Sequence, residues 1–261
     1  MSRQRLILAL SLCMALASAL SPAAAQSVFH RGNDGDPETL DPQKTQTVTE
    51  AHLLRDLFEG LVIHNAKGEV VPGAAESWVV SADGKTYTFK IRANAKWSNG
   101  AKVSAKDFEY SYRRILNPAT GAKYANLLYP ILNAEAVNKS KDGKKPEDLG
   151  VKAIDEATFE MKLERPTPYF LELLTHSTSI PVHPATVEKH GKDFVKPENW
   201  VSNGAYKLQG NTPNAQIVVV KNAQFHAAAS VKIDEVRYYP RSDLAAAARQ
   251  FQAGELHFTT D

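Results

Sequence analysis

Three histidines recur at intervals of seven residues, a spacing that could gather metal ligands. On a continuous helix, His176, His183 and His190 would place their imidazoles on one face. Proline removes a backbone N–H group and clashes with the preceding turn, and Pro181 and Pro184 both fall within this segment. We therefore interpret the spacing as accidental and predict no metal site.

Motifs of the common catalytic classes are missing from the sequence. The 261 residues contain no G-x-S-x-G elbow, no glycine-rich phosphate loop, no G-x-G-x-x-G fingerprint and no H-E-x-x-H zinc motif. Carboxylate pairs for acid-base catalysis are usually distant along a chain, and nothing singles one out here. The sequence favours a protein that is not an enzyme and has no cofactor.

Residues 95–116, AKWSNGAKVSAKDFEYSYRRIL, combine an indole, a turn and many charges, as an active site would. Asn99-Gly100 predicts a tight turn, and Trp97 is expected to cover the core beside it. Ser104 and Asp107 have the spacing of a capping box, which marks the start of a helix. This part of the segment is interpreted as structural.

The predicted helix has one apolar face and ends at Asn117-Pro118. Its apolar residues recur at i, i+4 and i+7, namely Phe108, Tyr112 and Ile115. The charged residues fall on the other side and are expected in solvent: Lys106, Glu109, Arg113 and Arg114. The helix is therefore predicted to be scaffold.

The elements around this segment alternate between strands and helices. Asp83-Gly84 is a turn signal, so residues 77–81 and 85–92 are predicted to form a hairpin. Further strands are predicted at residues 158–163, 216–221, 231–238 and 255–259. Helices are predicted at residues 50–58, 105–116, 168–174 and 243–253, the last closed by Gly254.

The first 25 residues have the pattern of a secretory signal peptide. Arg3 and Arg5 precede an apolar run, and small residues lead to a cleavage site near Ala25. Cys13, the single cysteine, lies within this run, so the exported protein is expected to contain no disulfide. Without the two arginines, the 31 basic residues fall to the number of acidic ones, 29. This balance argues against nucleic acid as a partner.

Several motifs resemble family 5 of the bacterial solute-binding proteins, in the order that the family has them. Besides residues 75–116, they are ETLDPQKT at 38–45, RDLFEGL at 55–61, NPATGAKYA at 117–125, DLGVKAIDEATFEMKL at 148–163, PTPYFLELL at 166–174 and NGAYKL at 203–208. The resemblance covers nearly all of residues 36–261 and is specific for the oligopeptide-binding members.

The resemblance implies a mixed α/β (α+β) protein of periplasmic-binding-protein type II, similar to cluster C. Residues 26–58 would begin lobe I, residues 59–183 would form a small domain II, and residues 184–261 would return to lobe I. Family members are longer, so the second large lobe and the return strands are expected to be missing. The chain alone is therefore expected to bind peptides very weakly or not at all.

The implied function is capture of short peptides for an inner-membrane ABC permease by a monomeric periplasmic receptor. The ligand-binding residues implied by the family are Gln46, Val48, Arg55 and Tyr124, and similar members have Glu where Gln46 stands. Fold does not fix ligand, so other cargo remains open: murein peptide, dipeptide, nickel or haem. A truncated product with little binding activity is a further alternative.

Overall fold

The computed structural model describes residues 26–260, so the predicted signal peptide and Cys13 lie outside the described residues. The strands are β1 (Val28–Asn33), β2 (Val62–His64), β3 (Val70–Pro72), β4 (Ala75–Val80), β5 (Thr86–Ile91), β6 (Val151–Ala153), β7 (Thr158–Lys162), β8 (Tyr206–Thr212), β9 (Gln216–Lys221) and β10 (Glu235–Pro240). The α-helices are α1 (Val48–Leu57), α2 (Ala105–Leu116), α3 (Ala134–Asn138), α4 (Phe170–Leu173), α5 (Pro184–His190) and α6 (Leu244–Gln252).

Two four-stranded sheets organise these elements. One has the order β1-β10-β9-β8, with β1 parallel to β10 and the other pairs antiparallel. The other has the order β4-β5-β7-β6 and is antiparallel throughout, while β2 and β3 form a separate ribbon. The predicted mixed α/β class is confirmed.

The predicted hairpin is confirmed as β4 and β5. Gly84 adopts a positive φ of 69° in the turn, and Asp83 Oδ1 accepts a hydrogen bond from Lys85 N–H at 3.1 Å. Along β5, the alternate side chains Tyr87, Phe89 and Ile91 are buried, as the period of two predicts. This face supplies part of the core beneath α2.

Helix α2 begins and ends where its local signals predict. The Asp107 carboxylate accepts hydrogen bonds from Ser104 N–H at 2.8 Å and from the buried Trp97 indole at 3.1 Å. The predicted apolar face is buried, and Phe108 and Tyr112 place their rings 5.9 and 5.7 Å from that of Phe159 on β7. The segment is scaffold, as predicted.

The expectation that all four charged residues of α2 lie in solvent is wrong for Arg114. Its guanidinium donates to both oxygens of Asp41, at 2.7 and 3.1 Å, and both side chains are largely buried. Lys106 is exposed, as expected, whereas Glu109 is only 19% exposed and accepts a hydrogen bond from Ala153 N–H at 2.8 Å. The pattern within one helix carries no information about Asp41, a partner 73 residues away.

Residues 255–259 do not form the predicted strand. His257 N–H donates to His30 O and Gly32 N–H to Phe258 O, so Phe258 pairs with Arg31 only as an isolated parallel bridge. The next backbone donor, His30 N–H, is accepted by the His257 imidazole instead of a backbone carbonyl, which interrupts the ladder. The strand predicted at residues 231–238 begins only at Glu235 and extends to Pro240.

Candidate ligand-binding site

The segment before α1 is fixed to α2 by the Arg114–Asp41 pair. Gln43 adds a second attachment, since its side-chain amide donates to Ser111 O at 2.8 Å and its Oε1 accepts from Arg114 at 2.5 Å. Asp41 and Gln43 are both buried. These contacts hold residues 45–48 at the entrance of a cleft.

A capping box then starts α1 and determines which backbone groups remain free. The buried Glu50 carboxylate accepts from Gln46 N–H at 2.7 Å and from Thr47 N–H at 2.9 Å, and the Thr47 hydroxyl accepts from Glu50 N–H at 3.4 Å. Val48 and Thr49 N–H have no acceptor in the described part of the chain. The helix therefore presents two open donors beside Val48, whose side chain is 65% exposed.

Tyr124 forms the facing side of this cleft. Its hydroxyl donates to Gln46 O at 3.3 Å, and its ring meets the His176 imidazole edge-on at 5.5 Å. The His176 imidazole in turn accepts from Thr178 N–H at 3.3 Å, which fixes the ring. Residues 45–48 and residues 124 and 176, distant in sequence, thus share one site.

All four residues implied by the resemblance, Gln46, Val48, Arg55 and Tyr124, line a cavity of about 270 Å³. The other lining residues are Thr45, Thr47, Ala51, His52, Thr175, His176, Ser177 and Ile180. A second cavity of about 340 Å³ shares Arg55, Thr175 and Ile180 with the first and is lined mostly by apolar residues. We call these the polar compartment and the apolar compartment.

Positive charge in the cleft is concentrated at Arg55. The side chain is exposed and forms no ion pair within residues 26–260. Burial, together with the nearby cations Arg31 and Arg55, lowers the pKa of His52, and burial with Arg55 lowers the pKa of His176. Both imidazoles are therefore neutral near pH 7, and Arg55 supplies the formal charge of the polar compartment.

A buried acid–imidazole contact borders the apolar compartment. Glu59, at its wall, has its two carboxylate oxygens 2.9 and 3.1 Å from His226 Nε2, and both side chains are largely buried. The Glu59 carboxylate is thus hydrogen-bonded to His226.

Sequence reasoning missed part of the site. His176 was considered only as a metal ligand, whereas it supports Tyr124 and lines the cleft. His183 instead caps α5, where Pro184 occupies the first turn. No three His, Cys, Asp or Glu side chains among the described residues are grouped as a metal site.

Known proteins similar to this chain share both its sequence and its fold. The family model described as "Bacterial extracellular solute-binding proteins, family 5 Middle" matches residues 69–261. The periplasmic oligopeptide-binding protein OppA of Salmonella typhimurium is 41% identical over 90% of this chain and 43% of its own length. The periplasmic murein peptide-binding protein MppA of Escherichia coli is 40% identical over 86% of this chain and 41% of its own length.

A solved structure gives the same result. Haemophilus influenzae OppA in complex with RPPGFSPFR superimposes with a TM-score of 0.87 at 38% identity, covering 90% of this chain and 46% of that chain. The chain thus spans less than half the length of these relatives. On the family match and the common fold, the chain belongs to family 5 of the bacterial extracellular solute-binding proteins.

Proposed function

We propose that this chain contributes one wall of a peptide-binding site in the solute-binding component of an ABC importer. The observation that carries the proposal is the cleft beside α1, where Val48 offers a backbone donor that has no acceptor within residues 26–260. A receptor for many peptides must grip what all of them share, which is the peptide backbone. The names of the OppA and MppA relatives, which are peptide-binding proteins, support the same ligand class.

In this proposal each of the four cleft residues has a distinct role. Val48 supplies a backbone donor and an apolar surface, while the Gln46 amide makes adaptable polar contacts with the peptide. Tyr124 holds the Gln46 carbonyl and offers its ring to ligand side chains. Arg55 provides positive charge at the boundary between the compartments.

We propose the domain bounds that the family resemblance implies. Lobe I comprises residues 26–58 and 184–261, and domain II comprises residues 59–183. The composition of the two sheets supports this division, since β1 and β8–β10 pair in one sheet and β4–β7 in the other. We further propose a monomer that acts in the periplasm, after cleavage near Ala25, and delivers ligand to membrane permease subunits without catalysis. Among residues 26–260, no helix is long and apolar enough to cross a membrane.

Murein peptide is the second candidate ligand. It is favoured by the 40% identity to the murein peptide-binding relative and by the cationic Arg55, because murein peptides carry extra carboxylates. Both candidates use the same wall and differ only in ligand.

Native mass spectrometry of the protein purified from its own periplasm tests the proposal. We expect a chain that begins at Gln26 and carries adducts, which denaturation releases and sequencing identifies as peptides. Muropeptide adducts would favour the second candidate. A protein that carries a metal ion or haem instead, or a protein heavier than residues 26–261 that carries no peptide, would overturn the proposal.

A further inference from the structure

Arg55 lies where a helical arginine would ordinarily find a partner, yet it has none in the described residues. Glu59 follows four residues later, the spacing at which opposite charges pair on a helix. Helix α1 ends at Leu57, however, and the Glu59 carboxylate binds His226 instead. The Arg55 guanidinium is left facing the cleft.

No carboxylate of the described cleft residues forms an ion pair with Arg55. His52 and His176 are the titratable neighbours in the polar compartment, and their lowered pKa values keep them neutral near pH 7. In the apolar compartment the acidic lining residue is Glu59, whose carboxylate is hydrogen-bonded to His226 and forms no ion pair with Arg55. An anionic group that entered here would meet a cation without displacing an internal partner.

The apolar compartment begins at the same arginine. Its apolar lining includes Phe58, Ile63, Leu174, Ala205 and Phe225, and its volume of about 340 Å³ has room for a large side chain. Arg55 lines both compartments, so a carboxylate at Arg55 and an apolar group in the second cavity would be close neighbours.

The spacing of side chains on an extended peptide then defines the ligand. Successive side chains of a strand point to opposite faces, so residues i and i+2 face the same wall. We propose that Arg55 and the apolar compartment select peptides in which an acidic side chain and a large apolar side chain are separated by one residue. The inference rests on the proposed function and narrows its ligand class.

A carboxylate can also come from the peptide C-terminus, so the probes must separate the two sources. The test peptide is the amide Ala-Glu-Ala-Phe-Ala, together with its reversed order Ala-Phe-Ala-Glu-Ala. The controls are Gln in place of Glu, Ala in place of Phe, Ala-Glu-Phe-Ala-Ala with adjacent side chains, and Ala-Gln-Ala-Phe-Ala as a free acid.

Titration of the isotopically labelled protein, followed by amide NMR shifts at pH about 8, measures even weak binding and reports folding in the same spectra. We expect at least one order of the Glu peptide to bind about threefold to tenfold more tightly than its Gln analogue. The ratio of the affinity for the Glu peptide to that for its Gln analogue should approach one in Arg55→Gln and at about 500 mM salt. The matched control Arg249→Gln, at an exposed position of α6, should keep this affinity ratio.

The outcomes distinguish the inference from the proposed function. Binding of Glu and Gln amides with equal affinity would overturn the inference alone, as would a ratio unchanged in Arg55→Gln. A preference found only with the free acid would assign Arg55 to the terminal carboxylate and overturn the side-chain assignment. If the peptide with Ala in place of Phe, or the peptide with adjacent Glu and Phe, binds as tightly as the test peptide, the role of the apolar compartment is overturned. Shifts with none of the peptides would overturn the proposed function itself.

Discussion

The side-chain amide of Asn203 pairs with both backbone groups of Glu59. Its Oδ1 accepts from Glu59 N–H at 3.1 Å, and its Nδ2 donates to Glu59 O at 2.8 Å. Beside it, Gly204 N–H donates to Leu57 O at 3.0 Å, and a Cβ on Gly204 would lie 2.5 Å from the Leu57 carbonyl carbon. The motif NGAYKL thus joins two distant chain segments at the end of α1, immediately beside the apolar compartment.

Replacement of Asn203 should weaken this junction. Asn203→Ala leaves two buried backbone groups of Glu59 without partners, so the free energy of unfolding should fall by about 2 kcal/mol. Urea denaturation measures the loss. Asn211→Ala, at an exposed position of β8, is the control and should change stability by less than about 0.5 kcal/mol. Equal losses in the two variants would contradict the role of Asn203.

The Arg114–Asp41 pair should contribute far more than the exposed pair on the same helix. Arg114 and Asp41 side chains are 16% and 6% exposed, so Arg114→Ala would leave a buried carboxylate uncompensated, at about 3 kcal/mol. Lys106 and Glu156 are 70% and 73% exposed, and Lys106→Ala should change stability by less than about 1 kcal/mol. Thermal unfolding of both variants checks the contrast, which similar melting temperatures would refute.

Acidification should destabilise the cleft through His176. Its pKa lies below the ordinary value of 6.5 because of burial and the charge of Arg55. The unfolded chain therefore takes up the proton first, and stability that is fully present above pH 6.5 is lost as the pH falls towards the lower folded value. We expect Arg55→Gln to raise this pKa in NMR titrations and to reduce the loss of stability, whereas Arg249→Gln should do neither. An unchanged pKa in Arg55→Gln would exclude electrostatic coupling.

Proline at position 48 should remove a ligand contact without disturbing the helix. Val48 is the first residue of α1, where proline is tolerated, and the preceding Thr47 is already extended at φ −115° and ψ 159°. Val48→Pro deletes the open N–H group, so peptide affinity should fall about threefold to tenfold in NMR titrations. Val48→Ala keeps that donor and removes only side-chain contact. If Val48→Pro folds and binds as tightly as Val48→Ala, backbone recognition at this position is wrong.

The 261-residue chain by itself should bind peptides only weakly. Val48 and Tyr124 remain 65% and 38% exposed, whereas binding sites commonly enclose about 70 to 90% of a ligand. Calorimetric titration with a peptide of three or more residues should therefore give an affinity weaker than micromolar. Micromolar or tighter binding would show that this wall is sufficient.

Local signals in the sequence determined much of the secondary structure. The capping box and apolar periodicity defined α2, and the Asp83-Gly84 turn and the alternation of β5 defined the hairpin, because each feature depends on neighbours a few residues away. Strands β1, β2, β3, β6 and β8 were not predicted. Three of them, β2, β3 and β6, have only three residues, too few for a recognisable period. Residues 255–259 were predicted as a strand, but the His257 side chain replaced the backbone acceptor that a ladder requires.

The cleft was decided only by tertiary structure. Resemblance identified Gln46, Val48, Arg55 and Tyr124 as candidates, but their placement in one cavity depends on contacts such as Tyr124 to Gln46, 78 residues apart. The burial of Arg114 likewise depends on its distant partner Asp41. Arg55 does not pair with Glu59, because the distant residue His226 binds the Glu59 carboxylate. Sequence by itself therefore determined the local elements and the family, whereas the charge and shape of the cleft arose from long-range contacts that no local pattern encodes.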